Sequence, residues 1–407
     1  MAGKPRIAVV SPFLDKQHGT ERCIAEQVER LAAEYEIHIY SMRVDDLDGG
    51  QFILHRIPRL PGPHLFHYLW WFAANQLWRW RDRRFRGMRF DLVYSPGINC
   101  FDADAIAVHI VFAAFRRQVE GELRLRRNPL RSWPHVIHRR LYYRLIEALE
   151  GRIYTRKDLP LAIVSRKVGG DLEKFYGRTD GLFLVYNGLD LDRFEPTRRA
   201  RLREGARREL ELADGDFAVL LIGNDWKKKG LPCLLEAAGQ LRLPDLRILV
   251  VGRDTAAPYE SAIRRLGLGA RVRFLPPRPD VEFYYAAADA YAGPSLEDAF
   301  ALPPAEAMAC GLPVIVSREA GVSEIVTHNV DGLILEDPSD AAGLAKFLEQ
   351  LHQDANLRQR LGENAARAVL QYTWSRNAAE TQRLLESARH SRERVAGAAN
   401  RIANSGG

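Results

Sequence analysis

The chain has 407 residues, 46% apolar and 27% charged, with a formal net charge of +7; this length suggests two or three domains and the composition excludes global disorder. No stretch approaches the roughly 18 apolar residues of a membrane-spanning helix, and the apolar run Ile7 to Val10 is too short for a secretory signal, so a cytoplasmic protein is expected. Cys23, Cys100, Cys233 and Cys310 are dispersed and form no CxxC pair, which argues against a disulfide framework or zinc site.

Short apolar strands alternate with helical patterns from end to end, the signature of parallel α/β sheets. In the first half, residues 6–11 read as a buried strand. A helix over 20–34 follows, with its apolar face at Ile24, Val28 and Leu31. Further strands are expected over 37–41, 91–95, 105–109 and 161–165. Turn and helix-breaking residues over 187–196 mark a join. Beyond it, strands are expected over 218–223, 247–252, 272–275, 290–293 and 313–317. Helices over 232–241, 258–266, 304–310 and 340–353 separate them. An amphipathic helix over 373–388 ends the pattern, and the small and polar residues from 391 onward read as a flexible tail.

The first half is the basic one, with 30 Lys and Arg against 20 Asp and Glu over residues 1–178, and 29 against 32 thereafter. Within it, residues 64–87 place aromatics beside Arg79, Arg81, Arg83, Arg84 and Arg86, and a second basic stretch runs from Arg116 to Arg140. Aromatics settle at a headgroup boundary and arginines attract anionic lipid, so peripheral contact with an anionic membrane is expected. The plainer alternative is a buried aromatic helix with a solvated basic end. Stacking on RNA would use the same residue types, but no nucleic-acid motif accompanies them.

Two loops of the second half carry phosphate chemistry. A strand ends at Gly223 and a helix begins near Pro232, with Lys227, Lys228, Lys229 and Gly230 between them. Lysines beside the unpaired N–H groups of a helix start make a diphosphate site; a solvated lysine turn is the bland alternative. In the second loop, Pro303 and Pro304 mark a helix start, and Phe300, Ala301 and Leu302 lead into its N–H groups. Glu306 in the first turn would accept the two hydroxyls of a ribose, unless it merely offsets the helix dipole, and Asp298 lies just before the loop. Both loops follow strands of one sheet, where open α/β domains bind ligands. No GxxxxGK[ST] is present, so P-loop ATP hydrolysis is disfavoured.

The stretches GNDWKKKG (223–230), NGLD (187–190), DAFALPPAEAMACGLPV (298–314), HGTER (18–22) and the helix at Trp374 together resemble the retaining glycosyltransferases of family 4. The basic and aromatic first half is closest in character to the lipopolysaccharide core hexosyltransferases of that family. The resemblance implies a GT-B fold, two Rossmann-like parallel-sheet α/β domains facing across a cleft. Residues 1–186 would bind the acceptor, 187–373 the nucleotide sugar, and 374–390 would cross back as a helix ahead of a tail over 391–407.

It further implies hexose transfer from a nucleotide diphosphate sugar, UDP- or GDP-linked, with no metal or cofactor. The acceptor would be a saccharide or lipid-linked sugar of an envelope glycan, handled at the inner face of the cytoplasmic membrane. Lys228 and Lys229 would clamp the diphosphate, with Asp298 near the donor sugar. Gly19 and Thr20 would line the cleft, His109 would contact a sugar hydroxyl and Arg166 a phosphate. Two positions depart from the family pattern: Asp298 stands where the loop usually carries Glu, and Asn224 where many members carry Arg. A double displacement would need a carboxylate beneath the anomeric carbon, and none is evident; same-face attack is expected. Asp102–Asp104 (DAD) has the look of a metal-binding motif but lies away from the nucleotide loops. Rival readings are a nucleotide-sugar epimerase of the same architecture and a non-catalytic membrane scaffold.

Overall fold

A computed structural model describes residues 3–17, 19–121, 123 and 132–405, with side chains to residue 394. The chain divides into two compact units, Met1–Tyr186 with Trp374–Gly407, and Asn187–Thr373.

The first unit runs through β1 (Arg6–Val10), β2 (Phe13–Leu14), α1 (Gly19–Leu31), β3 (Glu36–Ser41), β4 (Arg43–Val44), β5 (Ile53–Arg56) and α2 (His64–Arg86). There follow β6 (Leu92–Pro96), β7 (Ala105–Val108), α3 (Phe112–Gln118), α4 (Trp133–Ile153), β8 (Leu161–Ile163), α5 (Arg166–Tyr176) and β9 (Leu182–Leu184). Its seven strands lie in the order β5-β3-β1-β6-β7-β8-β9, and every pairing is parallel. Strands such as IAVV and AIAV are apolar on both faces because helices cover both sides. The two-residue strands β2 and β4 form a separate parallel pair; they are too short to leave a periodic signal.

The second unit contains α6 (Pro196–Glu209), β10 (Phe217–Ile222), α7 (Leu231–Gln240), β11 (Leu246–Val251), α8 (Glu260–Arg265), β12 (Val272–Leu275), α9 (Glu282–Ala287) and β13 (Ala290–Gly293). It continues with α10 (Leu302–Ala309), β14 (Val314–Ser317), β15 (Leu333–Leu335), α11 (Ala341–Gln353) and α12 (Ala355–Ala368). Its sheet is parallel in the order β12-β11-β10-β13-β14-β15. Strand order therefore reverses between β10 and β13, and in a doubly wound sheet such a switch point opens a crevice at the strand C-termini. The core beneath it is dominated by Val219, Leu221, Ile248, Val250 and Leu234, all buried.

The last helix, α13 (Trp374–Ser405), packs its Leu384, Leu385 and Ala388 into the core of the first unit. Gln27 Nε2 donates to Asn377 Oδ1 at 2.9 Å, and Asn377 Nδ2 donates to the Tyr186 carbonyl at 2.7 Å. The expected tail from 391 is corrected: residues 391–405 continue α13, because Ala, Arg and Glu in this stretch are strong helix formers interrupted by a single glycine. The last two residues lie outside those described.

Candidate active site

Three loops meet at the switch point of the second sheet. The first follows β10. Gly223, at φ 151°, permits Lys229 to lie across it: a Cβ there would come within 2.9 Å of Lys229 Cε. The loop turns on Asp225, whose carbonyl accepts from Lys229 N at 3.1 Å. Asn224 Oδ1 accepts from Arg253 N at 3.0 Å and Asp254 Oδ2 from Trp226 N at 3.0 Å, so the loop after β11 braces the lysine loop. Gly230, at φ 85°, caps α7; a Cβ there would lie 1.9 Å from the Pro294 carbonyl oxygen. Only glycine allows that approach, which joins this loop to the one following β13.

The loop after β13 is the acidic one. Leu296 N donates to the Lys228 carbonyl at 2.8 Å, and the Lys229 ammonium pairs with the Asp298 carboxylate. Asp298 Oδ1 also accepts from Phe300 N at 3.3 Å, while Gly321 N donates to the Asp298 carbonyl at 3.0 Å. Lys228, Lys229 and Gly223 thus lie on one braced loop and Asp298, Phe300 and Ala301 on the other, which leads into Leu302 and Glu306 of α10. Burial lowers the Lys228 pKa, against the pull of Asp225, Glu297 and Asp298.

Two details correct the sequence reading. Helix α10 starts at Leu302 rather than 304, so Glu306 falls in its second turn, not its first. The cause is the proline pair, which suits the second and third helical positions as well as the first. Those prolines also lack N–H groups, so of the four unpaired donors of a helix start only those of Ala301 and Leu302 remain. Cationic side chains must therefore carry more of any phosphate binding than the helix end does.

Glu306 is 5% exposed. Its Oε2 accepts from the Tyr285 hydroxyl at 2.8 Å. Burial raises the Tyr285 pKa far above the ordinary tyrosine range, with Glu306 adding to the effect. Tyr285 carried no sequence signal; it sits in an aromatic and alanine run on the short helix α9.

In the first unit, the remaining candidates sit at the C-terminal ends of strands. Gly19 and Thr20 open α1 after β1 and β2, and His18 lies outside the described residues. His109 follows β7; burial pulls its imidazole down to about 4, and its Nε2 has no hydrogen-bond partner. Arg166 is the exposed first residue of α5, capped by Ser165, whose side chain accepts from Val168 N. The aspartates of DAD are structural. Asp102 forms a two-pronged pair with Arg79 at 2.7 Å, and Asp104 Oδ2 accepts from Val93 N at 2.8 Å and pairs with Arg392. Among the described residues, no cluster of three His, Cys, Asp or Glu side chains is placed to hold a metal ion.

The aromatic segment is the long helix α2. Trp71 is buried, but Phe66, Leu69, Leu77 and Trp80 are exposed at helical spacing, followed by Phe85. The alternative of a buried aromatic helix with a solvated basic end therefore holds for Trp71 but not for Phe66, Leu69, Leu77 and Trp80. Part of the second basic stretch, residues 122 and 124–131, lies outside the described residues. Among the described residues, no helix is long and apolar enough to cross a membrane.

Comparison with known proteins places these features. The family models "Glycosyltransferase Family 4" and "Glycosyl transferases group 1" match residues 18–193 and 203–368. D-inositol 3-phosphate glycosyltransferase of Salinispora tropica is 31% identical over 243 residues, covering 56% of this chain and 50% of that protein. The chain spans about half the length of the curated relatives it matches. Among solved structures, WaaG, a glycosyltransferase involved in lipopolysaccharide biosynthesis, superposes with a TM-score of 0.76 at 21% identity over 92% of this chain and 99% of that one. HepE of Anabaena, solved in complex with UDP and glucose, superposes at 0.68 with 20% identity over 94% of this chain and 100% of that one. With one family model on each unit and the switch-point loops between β10 and β13, the chain belongs to the family 4 glycosyltransferases and has their GT-B fold.

Proposed function

We propose that the chain is a retaining hexosyltransferase that moves a sugar from a nucleotide diphosphate to a hydroxyl of an anionic envelope-glycan acceptor. The observation that carries this reading is the pairing of Lys229 with Asp298 over Gly223, at the switch point of the second sheet. Lys228 and Lys229 would take the charge that develops on the departing diphosphate, aided by the Ala301 and Leu302 N–H groups. Asp298 would share Lys229 with that phosphate and orient it toward the sugar. Glu306 would hold the ribose. No metal is required where two lysines supply the countercharge, and a UDP- or GDP-linked donor fits the loops.

In same-face attack, the bond between the anomeric carbon and the phosphate oxygen breaks as the acceptor oxygen bonds that carbon from the same side. The acceptor proton passes to the departing phosphate oxygen. Gly19 and Thr20 would lie near the transferred sugar, His109 would contact a sugar hydroxyl and Arg166 a phosphate. His109 is suited to a neutral hydrogen-bonding role, since burial keeps its ring uncharged at neutral pH. The exposed stripe Phe66, Leu69, Leu77 and Trp80, with Arg83 and Arg84 beyond it, supports contact with an anionic membrane, where a lipid-linked, lipopolysaccharide-like acceptor would be met at the inner face.

A second acceptor reading, D-inositol 3-phosphate, is favoured by the name of the Salinispora relative, whose identity of 31% exceeds that of the solved structures. A thermal-shift panel of UDP-, GDP- and ADP-sugars identifies the donor, because the preferred ligand raises stability by mass action. Incubating that donor with inositol 3-phosphate or with a lipid-linked core saccharide then separates the two acceptors. Product sugar formed without acceptor would point to an epimerase, and absence of any nucleotide binding to a scaffold.

A further inference from the structure

Glu306, on α10, lies against a buried phenol. Its Oε2 accepts from Tyr285 at 2.8 Å, and the Tyr285 side chain is fully enclosed, so the hydroxyl cannot itself reach a ligand. The same hydroxyl lies 3.2 Å from the Pro303 carbonyl. A hydroxyl has one proton, and the shorter bond, to Glu306, takes it. The bond therefore fixes rotation of the carboxylate.

Tyr285 is itself held in place by its surroundings. Its ring packs edge-on against Phe194, with centroids 5.7 Å apart. The carbonyls at the end of α9, left unpaired by the helix, are taken up by arginines of α6. Arg199 donates to the carbonyls of Tyr285 at 3.3 Å and Ala288 at 2.8 Å, Arg203 to Ala288 at 2.9 Å, and Arg207 to Ala287 at 3.1 Å. At the other end, Arg193 and Arg198 pair with Glu282. The helix is clamped at both ends, and the phenol it carries abuts the one carboxylate buried in α10.

We propose that Tyr285 is a positioning residue that aims Glu306 at a nucleoside diol, so that preference for ribonucleotides over deoxyribonucleotides depends on a hydroxyl that does not touch the ligand. The inference rests on the reading of Glu306 as the ribose-binding carboxylate. A hydrogen bond to a charged group contributes about 1.5–3 kcal/mol, so a correctly aimed Glu306 should give at least a roughly tenfold preference for the diol.

The test is calorimetric titration of UDP and GDP, each against its 2′-deoxy counterpart, into wild type, Tyr285→Phe and Glu306→Gln, with melting temperatures recorded. The expected result for Tyr285→Phe is a preference reduced to about threefold or less, with affinity for the deoxynucleotide unchanged. A merely structural role would weaken both ligands equally and overturn the proposal, as would an undiminished preference. If wild type shows no preference, or Glu306→Gln leaves it intact, the reading of Glu306 fails first. Should Tyr285→Phe not fold, Tyr285→Met removes the same hydroxyl and is read the same way.

Discussion

The Lys229 ammonium and the Asp298 carboxylate, 69 residues apart in sequence, form an ion pair that bridges the loops following β10 and β13. The neighbouring Lys227 is exposed. If the paired lysine is the one aimed at the diphosphate, Lys229→Ala should reduce kcat/KM by about a hundredfold or more, the scale for removing one preorganised charge-stabilising group. Lys227→Ala should stay within about threefold, as exposed charges contribute little. Initial rates with the donor found by thermal shift decide the matter; small, equal losses for both variants would remove Lys229 from the clamp.

What was legible in the sequence follows from burial. Strands such as Phe217–Ile222 and Leu246–Val251 are apolar on both faces and announce themselves, as do the lysines and prolines that flank their loops. The start of α10 was misplaced because Pro303 and Pro304 both suit a first turn, and no local pattern chooses between them. Tyr285 stayed invisible because its meaning lies in a contact with Glu306 across 21 residues, made by two helices whose packing periodicity does not record. The continuation of α13 past residue 391 was missed because small residues were read as disorder, although alanine is the strongest helix former.

Ala301 occupies φ 69°, ψ 91°, in the left-handed region that favours glycine, at the N-cap of α10. A non-glycine residue held there costs about 1–3 kcal/mol. Ala301→Gly should relieve that strain, partly offset by the greater freedom of glycine in the unfolded chain, and raise the melting temperature by about 1–3 °C. Ala301→Val should lower it, because a branched side chain tolerates this backbone worst. A lower melting temperature for the glycine variant would show that the conformation is unstrained.

His109 provides a pH test. Its imidazole is held down to about 4 by burial, against an ordinary value of 6.5. A base with a lowered folded-state pKa contributes stability above 6.5 that is lost as pH falls toward 4, because only the unfolded chain then takes up the proton. The gap corresponds to at most roughly 3 kcal/mol. His109→Leu should therefore flatten the acid limb of a denaturant-unfolding series between pH 6.5 and 4, and an unchanged limb would rule out a buried neutral ring. Activity carried by a neutral His109 should show no inflection from this group between pH 5 and 8.

Glu150 should act with the opposite sign. It is 1% exposed, and burial pushes its carboxyl up to about 7 from an ordinary 4.5. This happens even though Phe112 N and Ala113 N, at the start of α3, donate to it at 2.8 and 3.1 Å, and Tyr176 OH at 2.7 Å. An acid with a raised folded-state pKa contributes stability that is complete below 4.5 and is lost as pH rises through 7. In Glu150→Gln, one acceptor oxygen becomes an NH2 group facing these donors, at a cost of about 1–3 kcal/mol. The variant should therefore melt below wild type at pH 5, with the gap narrowing by pH 8 as wild type comes to bury a full charge. A gap that instead widens with pH would mean that the three donors outweigh burial and that the carboxylate is ionised well below neutrality.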